Sequence, residues 1–132
     1  MGAAENKKLV QDMFSDLSGG NAQAFLDRLA DDVRFTIIGT TRFSGTFKGK
    51  QELIAKVLRP LTAELAAGLQ MAVDNIIAEG DWVVMQGRGK ATAKNGKAYN
   101  NTYAQVIRVA GGKVTEVTEY LDTELVTSVF GR

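Results

Sequence analysis

Two turn-forming dipeptides divide the last third of the chain into three segments of similar length. Asn95-Gly96 and Gly111-Gly112 are typical of two-residue hairpin turns, because both central positions of such turns need a positive φ. The segments between them alternate apolar and polar residues and are rich in β-branched and aromatic side chains. The pattern therefore predicts an antiparallel meander with strands at residues 82–93, 98–109 and 113–121.

One face of this meander carries polar side chains where a core-facing strand normally carries Val or Leu. Side chains alternate between the two faces of a strand, so every second residue belongs to the same row. If the three rows point the same way, they line a hollow with amide, guanidinium, phenol and carboxylate groups, which predicts an interior pocket. The residues of these rows are Gln86, Arg88, Lys90, Asn101, Tyr103, Gln105, Val117 and Glu119.

Upstream of the meander the sequence predicts helices and further strands. Apolar residues at helical spacing mark the helices, and β-branched and aromatic residues mark the strands. This order predicts an α+β fold in which an antiparallel sheet curls around helices. The predicted elements are a helix at 4–18, a short helix capped by Asn21, a strand at 33–40 with a return at 43–47, a helix at 49–58 ended or kinked by Pro60, a strand at 69–78, and a C-terminal helical turn capped by Asp122.

The composition limits the chemistry that the chain can perform. It has no cysteine and no histidine, which excludes thiol nucleophiles, disulfides, zinc–thiolate sites and the commonest general base. Its 16 basic and 15 acidic residues give a net charge of +1, which offers no surface for nucleic acid or an anionic membrane. With no export signal evident, we expect a single cytoplasmic domain over residues 1–132, without metal or cofactor.

Four segments resemble the nuclear transport factor 2-like superfamily, which includes ketosteroid isomerase, limonene epoxide hydrolase and SnoaL-like polyketide cyclases. They are LADDVRF at 29–35, the stretch at 45–49, AEGDWVV at 78–84 and YNNTYAQVIRVAGGKVTEVTEYLD at 99–122. The resemblance implies a cone-shaped, curved antiparallel or mixed sheet wrapped around three helices of the N-terminal half. It also implies a small-molecule enzyme of isomerase, hydrolase or cyclase type, a ligand-binding protein without catalysis, or an association domain.

The catalytic sets of two superfamily members are not retained. Where ketosteroid isomerase-like proteins place the proton-abstracting carboxylate, the resemblance aligns Ile37, and it aligns Met13 with a tyrosine of the first helix. Against limonene epoxide hydrolase, Glu119 matches a catalytic aspartate in charge type. Gln86 and Arg88 take the places of the arginine and of the second aspartate.

Arg88 and Glu119 are the central pair of the predicted site. In one interpretation Glu119 is an acid or base whose pKa is tuned by Arg88, with Tyr103 in support, and these three are the predicted catalytic residues. In the other, Arg88 and Glu119 form a structural ion pair. We expect a small apolar ligand, or one that bears a carbonyl or carboxylate group. The predicted ligand-binding residues are Gln86, Asn101, Gln105, Ile37, Phe35, Met13, Val117 and Trp82.

The opposite face of the meander predicts a homodimer. It is small and apolar, with few charges apart from Arg108 and Glu116. Such a face is a liability unless something covers it, and members of the resembled superfamily commonly pair sheet to sheet. The alternative is that the C-terminal segment covers it, or that it is ordinary scattered surface apolarity. The residues assigned to this face are Met85, Gly87, Gly89, Ala91, Ala104, Val106, Thr118 and Tyr120.

Overall fold

The computed structural model describes residues 2–132, which form one six-stranded sheet and five α-helices. The helices are α1 (Ala3–Ser18), α2 (Ala22–Asp27), α3 (Lys50–Leu53), α4 (Arg59–Glu64) and α5 (Thr123–Phe130). The strands are β1 (Leu29–Ile37), β2 (Gly45–Lys48), β3 (Gln70–Glu79), β4 (Trp82–Lys90), β5 (Thr102–Ala110) and β6 (Lys113–Leu121). Among residues 2–132, none of the helices combines the length and the hydrophobicity that a membrane-spanning segment requires.

The strands lie in the order β2-β1-β6-β5-β4-β3. Neighbouring strands are antiparallel except for β1 and β6, which are parallel. The sheet is therefore mixed, and the predicted α+β fold with a curved sheet around N-terminal helices is confirmed. β1 begins and ends earlier than the predicted strand at 33–40.

The hairpin between β5 and β6 has the turn that its sequence predicts. Gly111 and Gly112 have φ values of 58° and 74°, in the left-handed region that glycine reaches without strain. At the other predicted turn only Gly96 has a positive φ, 88°. There β4 ends at Lys90 and β5 begins only at Thr102, and a single β-bridge between Thr92 and Ala98 links the two sides of the connection. The loop between β4 and β5 is thus longer than the predicted two-residue turn.

The predicted helix at 49–58 is longer than expected, because Pro60 does not end it. Ile54–Leu58 forms a π-helical turn between α3 and α4, and helical backbone continues to Glu64. Pro60 lies in the first turn of α4, a position where its missing N–H is tolerated.

Two predicted helix caps are present. The Oδ1 atom of Asn21 accepts a hydrogen bond from the backbone N–H of Ala24 at 3.0 Å. The Oδ1 atom of Asp122 accepts one from the backbone N–H of Leu125 at 3.1 Å. Each bond satisfies a backbone donor that the start of a helix leaves without an intrahelical partner.

The buried apolar side chains form two clusters. The larger one, here called the core cluster, lies between the sheet and α1, whose Val10, Met13 and Phe14 are at most 2 % exposed. Leu121 at the end of β6 packs against both clusters, so this end of the strand marks their boundary. The smaller one, the α5 cluster, consists of Phe43, Leu65, Ala91, Ala93, Tyr99, Val126, Val129 and Phe130.

Candidate functional site

The register between β4 and β5 decides which side chains face the interior. Tyr103 pairs with Gly87, and directly paired residues on neighbouring strands share a face. The prediction that Arg88 lies inside, opposite Glu119, is therefore wrong. Alternation along a strand defines two faces but does not say which one faces inward. The inward residues of β4 are Val83, Met85, Gly87 and Gly89.

Arg88 pairs with Asp74 on the outer face. Its Nη2 atom donates to Oδ1 of Asp74 at 2.8 Å, and its Nε atom donates to Oδ2 at 3.0 Å. Asp74 lies at a β-bulge between Val73 and Asn75 of β3. These hydrogen bonds lower the pKa of Asp74 and raise that of Arg88. Both groups are exposed, so water screens the pair and its contribution to stability is small.

Gln86 and Trp82, two predicted ligand-binding residues, lie on the outer face together with Arg88. The Oε1 atom of Gln86 accepts a hydrogen bond from Nδ2 of Asn75 at 3.3 Å. Trp82 is 44 % exposed, and the guanidinium carbon of Arg108 lies 5.8 Å from its ring centroid. Placing them in the interior was wrong for the same reason, since even-numbered residues of β4 point outward.

The residues assigned to a dimer face divide between the two sides of the sheet. Met85, Gly87 and Gly89 lie inside because they alternate with the outward residues of β4, and Ala91 belongs to the buried α5 cluster. Their assignment to the outer face is wrong. The residues that do alternate outward on β5 and β6 are Ala104, Val106, Thr118 and Tyr120.

Gln105, Glu119 and Ile37 form one row across the interior face. Glu119 pairs with Gln105 of β5 on one side and with Ile37 of β1 on the other. The Nε2 atom of Gln105 donates to Oε1 of Glu119 at 2.7 Å. Loss of hydration raises the pKa of the partly buried Glu119 from its usual 4.5 to about 7, and the hydrogen bond from Gln105 opposes the rise. Near neutral pH the carboxyl group therefore exists in both protonation states.

A tyrosine pair adjoins this row. The hydroxyl of Tyr103 donates a long hydrogen bond to the hydroxyl of Tyr99 at 3.4 Å, and Nδ2 of Asn101 donates to the same oxygen at 3.2 Å. Burial raises the pKa of both phenols, so both remain protonated near neutral pH. Sequence reasoning missed Tyr99. Its signal is the alternation of Tyr99, Asn101, Tyr103 and Gln105, which begins before β5 does.

The side chain of Asn101 forms hydrogen bonds that connect the start of β5 with the residue before α5. Its Oδ1 atom accepts from the backbone N–H groups of Thr102 at 2.7 Å and Asp122 at 3.0 Å. Its Nδ2 atom donates to the carbonyl of Asp122 at 3.2 Å as well as to Tyr99. Because both donors and both acceptor positions of the amide are engaged, the geometry favours a structural role. The ligand-binding role of Asn101 stays a prediction.

Four apolar residues predicted to shape the pocket lie in the core cluster and are at most 7 % exposed. The structure thus places them inside, and their contact with a ligand stays a prediction. They are Phe35, Ile37, Met13 and Val117.

Two surface hollows of about 530 Å³ each lie away from the carboxyl group of Glu119. One runs between α1 and β3 past Gln11 and Met71, and the other lies on the outer face beside Gln86 and Tyr120. Glu119 lines neither, so the interior pocket stays a prediction. Within residues 2–132, no group of three acidic side chains is arranged to hold a metal ion.

Comparison with solved structures shows the same fold in several bacterial proteins. A nuclear transport factor 2-like protein from Burkholderia thailandensis has 25 % identity and a TM-score of 0.84, with 98 % of each chain covered. A candidate SnoaL-like polyketide cyclase from Jannaschia sp. CCS1 has 19 % identity and a TM-score of 0.78, covering 98 % of this chain and 93 % of that one. A protein with a ketosteroid isomerase-like fold from Catenulispora acidiphila, in complex with trimethylamine, has 16 % identity and a TM-score of 0.73 over 93 % and 92 % of the two chains.

Sequence comparison identifies the family. No curated protein matches the chain significantly in sequence. The model of the SnoaL-like domain, however, matches residues 10–117, which include every strand except the end of β6. Ile37 and Gln105 of the interior row lie within this range, and Glu119 lies just beyond it. The chain therefore belongs to the SnoaL-like domain family.

Proposed function

We propose that the chain binds a small molecule inside the curved sheet and that Glu119 exchanges a proton with it. One observation carries the proposal: an interior carboxyl group whose pKa is raised to about 7. A group with a pKa near neutrality can donate or accept a proton at physiological pH. The Catenulispora protein of the same fold is in complex with trimethylamine, which supports small-molecule binding by a protein of this fold.

The groups around Glu119 favour an apolar ligand with a hydrogen-bond acceptor. Gln105 holds one carboxyl oxygen of Glu119 and thereby orients the group. The hydroxyl of Tyr103 donates a hydrogen bond to the hydroxyl oxygen of Tyr99, so the O–H of Tyr99 is not used as a donor within the pair. A carbonyl or carboxylate oxygen of a ligand is the matching acceptor. The surrounding wall is apolar, with Met13 and Val117 on it.

Two classes of function follow from this arrangement. In an acid/base enzyme of isomerase, hydrolase or cyclase type, Glu119→Gln abolishes turnover while ligand binding is largely kept. In a binding protein without catalysis, the same substitution weakens binding, because the carboxyl group then only orients the ligand. The raised pKa of Glu119 suits the first class, and the effect of Glu119→Gln on turnover and on binding distinguishes the two.

A thermal-shift screen tests the proposal. Small terpenoid, steroid and aromatic carbonyl compounds and acids are screened about one pH unit below and above the pKa of about 7, because a bound ligand raises the melting temperature. For a genuine ligand we expect a shift that depends on pH in the natural protein and not in Glu119→Gln. Glu116→Gln is the control, since Glu116 lies on the same strand and pairs with Arg108 in register. Hits that behave identically in Glu119→Gln would remove Glu119 from the site.

We also propose that a second copy of the chain covers the outer face of the sheet. Ile77, Trp82 and Tyr120 are 57 %, 44 % and 47 % exposed there, which is unusual for large apolar side chains on one face. An isologous pair would bury the same surface on both copies. Light scattering at micromolar concentration should give twice the monomer mass, and Trp82→Glu should reduce it. A monomer in the natural protein would contradict the dimer.

The cytoplasmic location and the single domain over residues 1–132 stay predictions.

A further inference from the structure

Phe130, the last residue of α5, is bound by contacts that a free aromatic acid could also make. Its ring packs edge-on against Tyr99, with centroids 4.8 Å apart, and against Phe43, with centroids 5.6 Å apart. Its carbonyl oxygen accepts a hydrogen bond from Nη1 of Arg42 at 2.9 Å. The ring, Cβ, Cα and carbonyl group of a phenylalanine together form a 3-phenylpropanoyl unit. The α5 cluster therefore already holds such a unit, with its ring in an aromatic niche and its oxygen on a guanidinium.

Arg42 gives this niche a charged end. Its guanidinium carbon lies 5.1 Å from the ring centroid of Phe43, and its Nη2 atom lies 3.6 Å from Oε1 of Glu64. The side chain is 34 % exposed, so a molecule from solution can reach it. A carboxylate accepts a stronger hydrogen bond from a guanidinium than a neutral carbonyl does. The chemistry at Arg42 thus favours an ionised acid over the backbone oxygen of Phe130, whereas Glu64 competes for the same cation.

The position of Phe130 in the chain allows its ring to be exchanged. The preceding residues of α5 have ties of their own: Nδ2 of Asn95 donates to the carbonyl of Val129 at 2.8 Å, and Nζ of Lys97 donates to that of Ser128 at 2.9 Å. Gly131 follows with a φ of 76° and ends the helix. These hydrogen bonds hold the preceding residues of α5 and do not depend on the ring of Phe130.

We propose that the niche formed by Phe43, Tyr99 and Arg42 is a binding site for aromatic carboxylates of the 3-phenylpropanoate class, and that Phe130 competes with the ligand for it. The site is separate from the proton exchange at Glu119 and needs no chemistry there. Its connection to the interior is Tyr99, whose hydroxyl is bonded to Tyr103. A ligand in the niche would rest on the ring of Tyr99.

The test removes the competing ring, while the backbone carbonyl of residue 130 that accepts from Arg42 remains, and varies the ligand. Phe130→Ala and the natural protein are titrated calorimetrically with 3-phenylpropionate, with its neutral amide and with propionate, which has no ring. We expect Phe130→Ala to bind 3-phenylpropionate at least about tenfold more tightly than the natural protein does. A preference of roughly tenfold for the acid over the amide should disappear when Arg42→Gln is added, since a hydrogen bond to a charged group is worth about this factor. Propionate should bind neither protein.

Phe25→Ala is the matched control. Phe25 also contacts an aromatic ring edge-on, with its centroid 6.0 Å from that of Phe14, but it packs against the core cluster and not against the α5 cluster. It should gain no affinity for 3-phenylpropionate. Three results would overturn the proposal: no gain in Phe130→Ala, equal affinity for acid and amide, or an acid preference that survives Arg42→Gln.

A second measurement covers the case in which Phe130→Ala does not fold. In the natural protein, an excess of 3-phenylpropionate should shift the amide resonances of Val129, Phe130 and Tyr99. The indole N–H resonance of Trp82, on the outer face, should stay in place. A titration that moves none of the first three resonances refutes the site. Tyr99 adjoins both proposed sites, so the shifts of Val129 and Phe130 and the loss of the acid preference in Arg42→Gln are the results that assign binding to the niche and not to the site at Glu119.

Discussion

Replacing Glu119 by Gln should remove a pH dependence from the stability of the fold. The folded protein raises the pKa of Glu119 from 4.5 to about 7 because burial disfavours the charged form. The folded state therefore binds this proton more tightly than the unfolded state does. Stability from this group is fully present below the unfolded pKa, falls as the pH rises from 4.5, and is lost once the pH passes about 7.

The size of the effect follows from the same shift. One pKa unit corresponds to about 1.4 kcal/mol, so ionising Glu119 in the folded protein costs about 3 kcal/mol, an upper value because the side chain keeps some contact with water. Glu119→Gln carries no charge, and an amide can still hydrogen-bond to Gln105. At alkaline pH the variant should therefore be more stable than the natural protein by up to about 3 kcal/mol, and near the unfolded pKa of 4.5 the two should be equal.

Urea unfolding at a series of pH values measures this difference directly, because the midpoint and slope give the free energy of unfolding. The difference between the two proteins isolates Glu119 from every other titrating group. Glu116→Gln, at a position of the same strand that alternates onto the other face, is the matched control. If Glu119→Gln follows the natural profile in parallel, the carboxyl group titrates as in water and the reasoning about the interior row fails.

Two further substitutions test the packing around the site. In Gly89→Ala the added Cβ would lie 2.9 Å from Cε2 of Tyr103 and 2.9 Å from Cδ1 of Leu69. This overpacking should lower the free energy of unfolding by about 1–3 kcal/mol. Gly68→Ala is the control, because its Cβ would meet nothing within 4 Å and should not overpack the fold. Equal urea midpoints for the two would contradict the inward direction of residue 89. Asp122→Ala removes the cap of α5, which should lower the free energy of unfolding by about 1 kcal/mol and speed amide hydrogen exchange at the start of the helix. Asp122→Asn keeps a capping oxygen and is the control. Identical exchange in both variants would show that the cap does not stabilise α5.

The elements that the sequence predicts well depend on local signals. The stripe on α1, the caps at Asn21 and Asp122 and the turn at Gly111-Gly112 each act over a few residues, and the structure contains all of them. Of the two outcomes predicted at Pro60, an end or a kink, the end is wrong for a physical reason. A proline breaks a helix only where its N–H is needed, and the π-helical turn before it shifts the hydrogen bonds so that Pro60 falls in a first turn.

Predicting which residues form the interior row requires the pairing register between strands, which no single strand contains. Alternation correctly groups Gln86 with Arg88 and Tyr103 with Gln105, but the relation between the two groups depends on the pairing of Gly87 with Tyr103. Pairing register is set across the sheet, and an error of one residue moves a whole row to the other face. The acidic partner of Arg88 was equally inaccessible to sequence reasoning, because Asp74 reaches it only through a bulge in β3.

Two glycines in β4 carry the signal that could have settled the register. A Cβ on Gly87 would lie 2.8 Å from the carbonyl oxygen of Ala72, and one on Gly89 would meet Tyr103. Glycines in a strand mark places where another group approaches closely, and here they alternate with Gln86 and Arg88, whose polar groups favour solvent. The glycine face is then the inner one, which also puts Tyr103 and Glu119 inside. Gln105 and Glu119 are then polar residues in an interior row that Ile37 completes, and such departures from packing rules are where a site is expected.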